Sequence, residues 1–365
     1  MKKRAFITGI EGQDGSYLAE LLLAKNYEVH GIFRPSANGG SNLSRLKSDP
    51  QIFQKTLFLH PADLDDVESI RAPLEQAAPD EIYHLASQSH VGASFEKVEE
   101  TCRITGLGTL RLLELTRQLP QPPRFFHASS SEIFGSPEHS PQDENTPVLS
   151  ITPYGCAKAF GTQLTRIYRK NFGLFAVNGI FFNHESPRRG ENFVTRKICR
   201  AVAAIQAGRQ SELVLGDTTA QRDWGHARDY VRGMWLALQH DTPEDFVFAT
   251  GKLHRVQDIV ELAFKAAGLD WQKYVRQEKQ LFRPADPRQV VGNAAKAKQL
   301  LGWQPEISFE QTIAEIEWLE RILAVPGMRP LSPSDISAAN RRHDDSLAHS
   351  PWFRLWQRYG VCCRS

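Results

Sequence analysis

The sequence lacks the features that mark several large classes of protein. It has no run of 18 or more apolar residues, so it contains no candidate bilayer-spanning segment. Its 44 Lys and Arg residues nearly balance its 42 Asp and Glu residues, and the net charge of +2 argues against the dense basic face of a nucleic-acid binder. Its five cysteines are scattered, without metal-ligand spacing. We therefore expect a cytoplasmic protein with reduced thiols, no metal site, and neither nucleic acid nor membrane as a partner.

The chain of 365 residues is longer than a single hydrophobic core usually supports, which predicts two lobes. Short apolar runs alternate with amphipathic helical patterns in its first half. This alternation predicts a Rossmann-type, doubly wound parallel α/β sheet with a smaller α/β C-terminal substrate lobe. Strands are predicted at 4–8, 28–33, 55–60, 81–85, 124–129 and 175–182, with helices at 16–25, 108–119, 159–171 and 195–207 among others. We expect residues 1–180 to form the sheet domain, with later segments returning to it, and 181–326 to form the lobe. Residues 327–365 read either as a partly ordered tail or as a short helix that docks its aromatic residues.

A glycine-rich loop follows the first predicted strand. Gly9, Gly12 and Gly15 form a Gly-x-x-Gly-x-x-Gly pattern that opens a helix, with Gln13 and Asp14 between the last two glycines. Such glycines permit a tight turn, close approach of a pyrophosphate and close packing of helix on sheet. The free N–H groups of the helix N-terminus then face the anion. The pattern predicts a dinucleotide site.

The residue after the second strand indicates which dinucleotide binds. Enzymes that use NAD usually carry an acidic residue there, whereas this chain has Arg34, which favours a 2′-phosphate by charge and geometry. We therefore predict NADP. The ends of the third and fourth strands supply further candidate cofactor contacts, namely Asp63, Leu64, Leu85, Ala86, Ser87 and Gln88, and we assign the adjacent Ser89 to the substrate.

The clearest catalytic pattern is the segment from Thr152 to Lys158. Thr152 and Pro153 are typical of a helix start, so Tyr154 and Lys158 lie one turn apart on the same helix face. We expect the lysine charge to lower the phenol pKa, so that the phenolate acts as a base during hydride transfer. Ser130 and Glu132, after the fifth strand, supply a hydroxyl and a carboxylate near the same centre. Both Tyr154 and Lys158 are also predicted to contact the cofactor.

Together these motifs resemble extended short-chain dehydrogenases/reductases that act on nucleotide sugars, and most closely the GDP-mannose 4,6-dehydratase family. The similarity covers roughly residues 4–320 and is most specific in the run 183–197. It is carried by 7–9, 12–23, 88–91, 175–180, 182–190, 192–198 and 222–227.

The resemblance implies an internal hydride transfer from C4 to C6 of a GDP-linked hexose, with water lost from C6. It assigns His184 and Arg189 to the cofactor. To the GDP-sugar it assigns Asn183, Thr195, Lys197, Arg222 and Arg283. Structural ion pairs, with Asp223 or Asp286 as candidate partners, remain the alternative for the last two arginines. A homodimer or a tetramer is implied as well.

Four departures from the family pattern suggest a divergent member. Ser130 replaces a threonine, Pro35 follows Arg34 where a second arginine is usual, and Glu100 and Phe282 replace tyrosines. An epimerase or a 4-keto reductase on the same fold is the main alternative function, and a non-catalytic NADP-binding regulator is another. Glu132 argues against the first alternative, and the intact set of Ser130, Tyr154 and Lys158 argues against the second.

Overall fold

The computed structural model describes residues 2–35, 41–281, 290–324, 328–330 and 361–363. In chain order its strands are β1 (Arg4–Thr8), β2 (Glu28–Phe33), β3 (Leu57–Pro61), β4 (Glu81–His84), β5 (Arg124–Ser130), β6 (Ala176–Phe181), β7 (Asn183–Glu185), β8 (Leu213–Leu215), β9 (Gln221–Arg222), β10 (Trp224–His226), β11 (Asp245–Phe248), β12 (His254–Arg255), β13 (Val275–Gln277), β14 (Met328–Pro330) and β15 (Val361–Cys363). Seven of them form the central parallel sheet, in the order β11-β6-β5-β4-β1-β2-β3.

The helices cover both faces of this sheet. They are α1 (Gln13–Ala24), α2 (Ser44–Ser48), α3 (Val67–Ala77), α4 (Val91–Ser94), α5 (Val98–Thr101), α6 (Gly108–Gln118), α7 (Pro153–Phe172), α8 (Val194–Gln206), α9 (Ala227–Gln239), α10 (Val256–Ala266), α11 (Ala295–Leu301) and α12 (Phe309–Ala324), with a π-helical stretch at Cys102–Leu107. The parallel sheet with helices on both faces confirms the predicted fold class.

Helix α7 shows how local sequence sets an element that carries site residues. Thr152 caps its N-terminus by accepting a hydrogen bond from the Gly155 amide at 2.9 Å, and Pro153 occupies the first turn. The helix ends at Gly173, whose φ of 69° is the left-handed conformation that favours glycine. The predicted start of this helix is confirmed, and Tyr154 therefore lies in its first turn.

A smaller set of elements packs beside the carboxyl ends of the sheet. Helices α8, α10 and α12 pack against one another around a core that includes Ile198, Val202, Ile259, Phe264 and Ile316. Three two-stranded pairs accompany them: β7 with β10, β8 with β13, and β9 with β12. This part of the chain forms the second wall of the cleft described below.

The sheet receives its seventh strand from a segment far along the chain. Strand β11 pairs with β6 in parallel register, from Asp245 opposite Asn178 to Phe248 opposite Phe181. Asp245 also accepts hydrogen bonds from Arg166, Arg169 and Asn178, which fix the strand against α7. Our boundary between the sheet domain and the lobe stays a prediction.

Much of the predicted tail, 327–365, lies outside the described residues. Its described parts are β14 and β15, which pair antiparallel with Met328 opposite Cys363. Among the described helices, we find none long and apolar enough to cross a membrane.

Candidate active site

A cleft of about 610 Å³ lies at the carboxyl ends of β1, β4, β5 and β6. Its N-terminal wall is formed by the glycine loop, the segment 85–92, the end of β5 and the start of α7. Its C-terminal wall is formed by lining residues from 181–197 and 215–222, together with Leu281. Ligands of open parallel sheets bind at this edge, so the topology alone marks the cleft as a site.

A different steric constraint applies at each of the three glycines of the loop. Gly9 adopts a φ of 71°, and a Cβ there would lie 3.0 Å from the backbone of Ala86. A Cβ on Gly15 would overlap the Gly9 carbonyl oxygen at 2.3 Å, because α1 packs directly on the end of β1. Gly12 is the N-cap of α1, and its missing Cβ would meet only the Gly9 carbonyl oxygen at 3.2 Å. The loop therefore leaves room for a pyrophosphate beside the N-terminus of α1.

Gln13 and Asp14 connect this loop to the opposite wall. Asp14 Oδ2 lies 2.8 Å from His184 Nε2, and Gln13 donates to the His184 carbonyl oxygen at 3.1 Å. Burial is the largest single influence and opposes charge on Asp14 and His184 alike, but their mutual attraction and the hydrogen bonds around the pair together outweigh it. The pKa of Asp14 is therefore lowered and that of His184 raised. The two walls meet at an ion pair directly behind the glycine loop.

The four predicted catalytic residues come together in the N-terminal wall. Ser130 ends β5 and caps the short 3₁₀ turn that carries Glu132, whose amide donates to Ser130 Oγ at 3.3 Å. The carboxylate of Glu132 accepts a hydrogen bond from Thr152 Oγ1 at 3.2 Å. Lys158 Nζ donates to the Ala128 carbonyl oxygen at 2.7 Å and lies 5.8 Å from the centre of the Tyr154 ring.

The expectation of a lowered phenol pKa at Tyr154 is wrong, because burial dominates. Burial, followed by the charge of Glu132, raises the pKa of Tyr154 to about 12, although hydrogen bonds from Ser130 and Ser87 and the charge of Arg189 oppose this. Burial also lowers the pKa of Lys158 to about 8, against the attraction of Asp14. Desolvation therefore dominates at this centre, and Tyr154 can act as a base only when further positive charge approaches the phenol.

Two buried histidines beneath Lys158 were not predicted from the sequence. His84 lies 2.8 Å from Thr8 Oγ1 and 3.0 Å from Thr109 Oγ1, and its ring stacks on that of His127. Burial, helped by the charge of Lys158, lowers the pKa of His84 to about 3 and that of His127 well below 6.5. Both rings are neutral near pH 7, so they add no charge below the reacting centre. Both histidines lie within strands predicted from their apolar neighbours, and nothing in those strand patterns indicated a role for the two rings.

Arg189 is the central cation of the C-terminal wall. Its guanidinium lies 3.6 Å from the centre of the Phe193 ring, and its Nε lies 3.4 Å from the buried carboxylate of Glu185. Its carbonyl oxygen accepts a hydrogen bond from Arg196 at 2.6 Å, and Arg196 in turn donates to Glu320 of α12 at 2.7 Å. Nothing in the spacing of Glu185, Arg196 and Glu320 had indicated this support.

Most of the other predicted site residues also line the cleft, and the roles of all of them stay predictions. The lining includes Gly9, Gly12, Gln13, Asp14, Gly15, Leu85, Ala86, Ser87, Ser89, Asn183, His184, Lys197 and Arg222.

The remaining predicted residues are placed differently. Arg34 is exposed at the end of β2, and Asp63 and Leu64 follow β3 away from the lining. Gln88 bonds the main chain of His90, and Thr195 is fully buried and donates to Glu185. Arg283 lies outside the described residues, as do Phe282 and Asp286.

Asp223 has a role that the sequence did not suggest. Its carboxylate accepts hydrogen bonds from the amides of Thr250, Gly251 and Gly292 and from Thr250 Oγ1, at 2.6 to 3.2 Å. Burial raises the pKa of Asp223 in spite of these donors. The residue ties the segment after β9 to the loop that follows β11.

The cleft fits a nicotinamide dinucleotide. It offers the open face of Gly12 at a helix N-terminus, the buried Tyr154 and Lys158 pair and the guanidinium of Arg189.

The fold is that of known nucleotide-sugar enzymes. The solved dTDP-glucose 4,6-dehydratase from Streptomyces venezuelae, with NAD bound, superposes with a TM-score of 0.78 at 24% identity. The superposition covers 88% of this chain and 98% of that one. Fold and cleft together define a Rossmann-type protein with a dinucleotide-binding cleft.

Sequence comparison identifies the family within that class. The family model described as GDP-mannose 4,6 dehydratase matches residues 6–316. The chain is 47% identical over 318 residues to GDP-mannose 4,6 dehydratase 2 of Arabidopsis thaliana, covering 86% of this chain and 85% of the relative. It is 45% identical to GDP-mannose 4,6-dehydratase of Yersinia enterocolitica, covering 86% and 92%. The chain therefore belongs to the GDP-mannose 4,6-dehydratase family.

Proposed function

We propose that this protein is an NADP-dependent lyase that converts GDP-mannose into GDP-4-keto-6-deoxymannose. The observation that carries the proposal is the Glu132 carboxylate, which lines the same cleft as Ser130, Tyr154 and Lys158. A simple dehydrogenase needs the tyrosine and lysine but no such carboxylate, whereas a dehydratase needs a base for C5. The names of the relatives in the family support GDP-mannose as the substrate.

NADP held in this cleft would supply the hydride chemistry of an internal transfer from C4 to C6. Tyr154 takes the proton of the C4 hydroxyl, and Ser130, which hydrogen-bonds the phenol, helps to orient that hydroxyl. The 4-ketone acidifies C5, so Glu132 removes the C5 proton and passes it to the departing C6 hydroxyl, which leaves as water. The proton on Tyr154 then goes to C5. All atoms balance without a proton from solvent and without an external reductant.

We assign the phosphates to the cationic positions of the two walls. The glycine loop and residues 85–88 would hold the cofactor together with Tyr154, Lys158, His184 and Arg189, and Arg34 would offer charge for a 2′-phosphate. The GDP-sugar contacts Ser89, Asn183, Lys197 and Arg222, with Arg283 as a further contact. Thr195 acts through Glu185 rather than directly, because its hydroxyl is already donated to that buried carboxylate.

The test is incubation of the purified protein with GDP-mannose labelled with deuterium at C4. We expect a 4-keto-6-deoxy product that carries the label at C6, formed without net consumption of NADPH. Glu132→Gln should bind the substrate but lose turnover by about 10²- to 10⁴-fold, the usual contribution of a positioned acid or base. The exposed carboxylate of Glu138 provides the matched control, Glu138→Gln, which should keep full turnover. Net NADPH oxidation would instead show a reductase, and an epimeric hexose would show an epimerase.

We further propose that the protein acts as a homodimer in the cytoplasm. An apolar strip supports the dimer, since Val98, Leu107, Phe160 and Ile167 each expose more than 40% of their surface on α5, the π-helical stretch and α7. The approach of Phe160 to Gly106 shows that these helices lie side by side. Free thiols at Cys102, Cys156 and Cys199 fit a reducing compartment.

A further inference from the structure

Lys47 is a cation that the sequence did not single out, and the structure places it beside the glycine loop. Its Nζ lies 2.7 Å from Glu11 Oε1, and the two side chains are 27% and 11% exposed. The same Nζ lies 5.8 Å from the ring centre of Phe33, the last residue of β2. Lys47 therefore spans the gap between the glycine loop and the end of the second strand.

Glu11 occupies a sensitive position in that loop. It lies between Gly9 and Gly12, directly before the N-cap of α1. Asn42 fixes its main chain by donating to the Glu11 carbonyl oxygen at 3.1 Å. The loop therefore holds a carboxylate on the side that faces α2 and the end of β2.

Charge in this region discriminates between the two nicotinamide dinucleotides. In Rossmann folds the adenosine ribose 2′-position lies at the end of the second strand, where a carboxylate favours the free hydroxyl of NAD. An unpaired Glu11 would therefore favour NAD, because its carboxylate would repel a 2′-phosphate. The ammonium of Lys47 offsets the charge of Glu11 and leaves two further N–H donors, because an ammonium has three. Arg34, next to Phe33, adds a second cation at the same end of β2.

We propose that Lys47 is a specificity-determining residue, which supplies charge for the 2′-phosphate of NADP and neutralises a carboxylate at Glu11 that would otherwise favour NAD. The inference rests on the proposed function in one respect only, namely that a nicotinamide dinucleotide binds in the cleft. It does not depend on the identity of the sugar or on the reaction.

The experiment measures dissociation constants for NADP⁺ and NAD⁺ by calorimetry on the purified full-length protein. Lys47→Gln should weaken NADP⁺ binding by about tenfold or more, as expected for loss of one charge-assisted contact, and should leave NAD⁺ nearly unchanged. Adding Glu11→Gln to this variant should recover part of the NADP⁺ affinity, because the unpaired carboxylate is then gone. Arg45→Gln is the matched control, since Arg45 lies on the same helix but pairs with Glu20 at 3.0 Å.

Equal weakening of both dinucleotides in Lys47→Gln would overturn the inference, and so would the same change of ratio in Arg45→Gln. A wild-type protein with equal affinity for NAD⁺ and NADP⁺ would overturn it too, while leaving the dehydratase reaction intact. Conversely, selective NADP⁺ binding without conversion of GDP-mannose would overturn the proposed function and leave the role of Lys47 standing. Failure to bind either dinucleotide would overturn both.

Discussion

The N-terminal wall of the cleft is formed by the ends of regular elements, whereas buried charges hold the loops of the C-terminal wall. In the first wall, Gly15 lets α1 pack on β1 and Thr152 starts α7. In the second, Asp223 gathers three backbone amides, and Arg196 and Glu320 support the carbonyl group of Arg189. The first wall therefore depends on close packing, and the second on contacts between buried polar groups. Substitutions that disturb close packing should therefore affect the N-terminal wall, and substitutions that remove buried polar contacts should affect the C-terminal wall.

The largest effect is expected from Gly15→Ala in the N-terminal wall. The new Cβ would lie 2.3 Å from the Gly9 carbonyl oxygen and 2.6 Å from Ile10 Cα, and these backbone atoms cannot move without shifting β1 or α1. We expect the free energy of unfolding to fall by about 3 kcal/mol or more, as in severe overpacking. Chemical denaturation followed by circular dichroism measures it.

Gly12→Ala is the control in the same loop. Its Cβ would meet only one oxygen, at 3.2 Å, so the free energy of unfolding should fall much less than for Gly15→Ala while dinucleotide binding weakens. Equal stability of the two variants would show that close packing does not define the N-terminal wall.

A smaller effect is expected from Asp223→Ala in the C-terminal wall. The change leaves the amides of Thr250, Gly251 and Gly292 without their acceptor, and the Gly292 bond is buried. We expect a loss of about 2–3 kcal/mol in the free energy of unfolding, the usual cost of buried donors left unpaired. Asp217→Ala removes a half-buried carboxylate whose hydrogen bonds to Thr219 are exposed, and it should cost about 1 kcal/mol or less. If both variants lose the same stability, buried polar groups do not hold this wall.

The smallest effect is a dependence on pH that arises at Lys158. Because burial lowers its pKa to about 8 in the folded protein, from 10.5 in the unfolded chain, the unfolded state binds more protons between these values. The cost of burying the charge is therefore present below pH 8 and disappears as the pH rises toward 10.5. In the ligand-free protein, the stability advantage of Lys158→Met over the wild type should shrink by about 1 kcal/mol between pH 8 and pH 9.

Lys170→Met, on the same helix but exposed, controls for the general effect of losing a lysine. Parallel stability curves for the wild type and Lys158→Met across this range would contradict the lowered pKa.

Regular elements and their caps were predictable because their signals are local. The strands β1 and β2 have the predicted bounds, and the pairing of Tyr154 with Lys158 follows from helical spacing. Electrostatics was not predictable in the same way, since the direction of the Tyr154 pKa depends on burial, which is a property of the whole fold. The same holds for Asp223 and Arg196, whose partners lie far along the chain or are main-chain atoms. Sequence patterns report neighbours on one element and not contacts between distant segments.

The origin of β11 also bears on the order in which the protein can fold during synthesis. The fully buried strand β6 ends at Phe181, but its outer neighbour begins only at Asp245. While the ribosome adds the intervening residues, β6 is an open edge with unpaired backbone groups and an apolar sequence. During the same interval, Arg166 and Arg169 of α7 cannot form their ion pairs with the Asp245 carboxylate. A nascent chain halted before residue 245 therefore exposes a surface suited to holdase chaperones and to aggregation, so this protein should tolerate C-terminal truncation poorly even where the cofactor loop is complete.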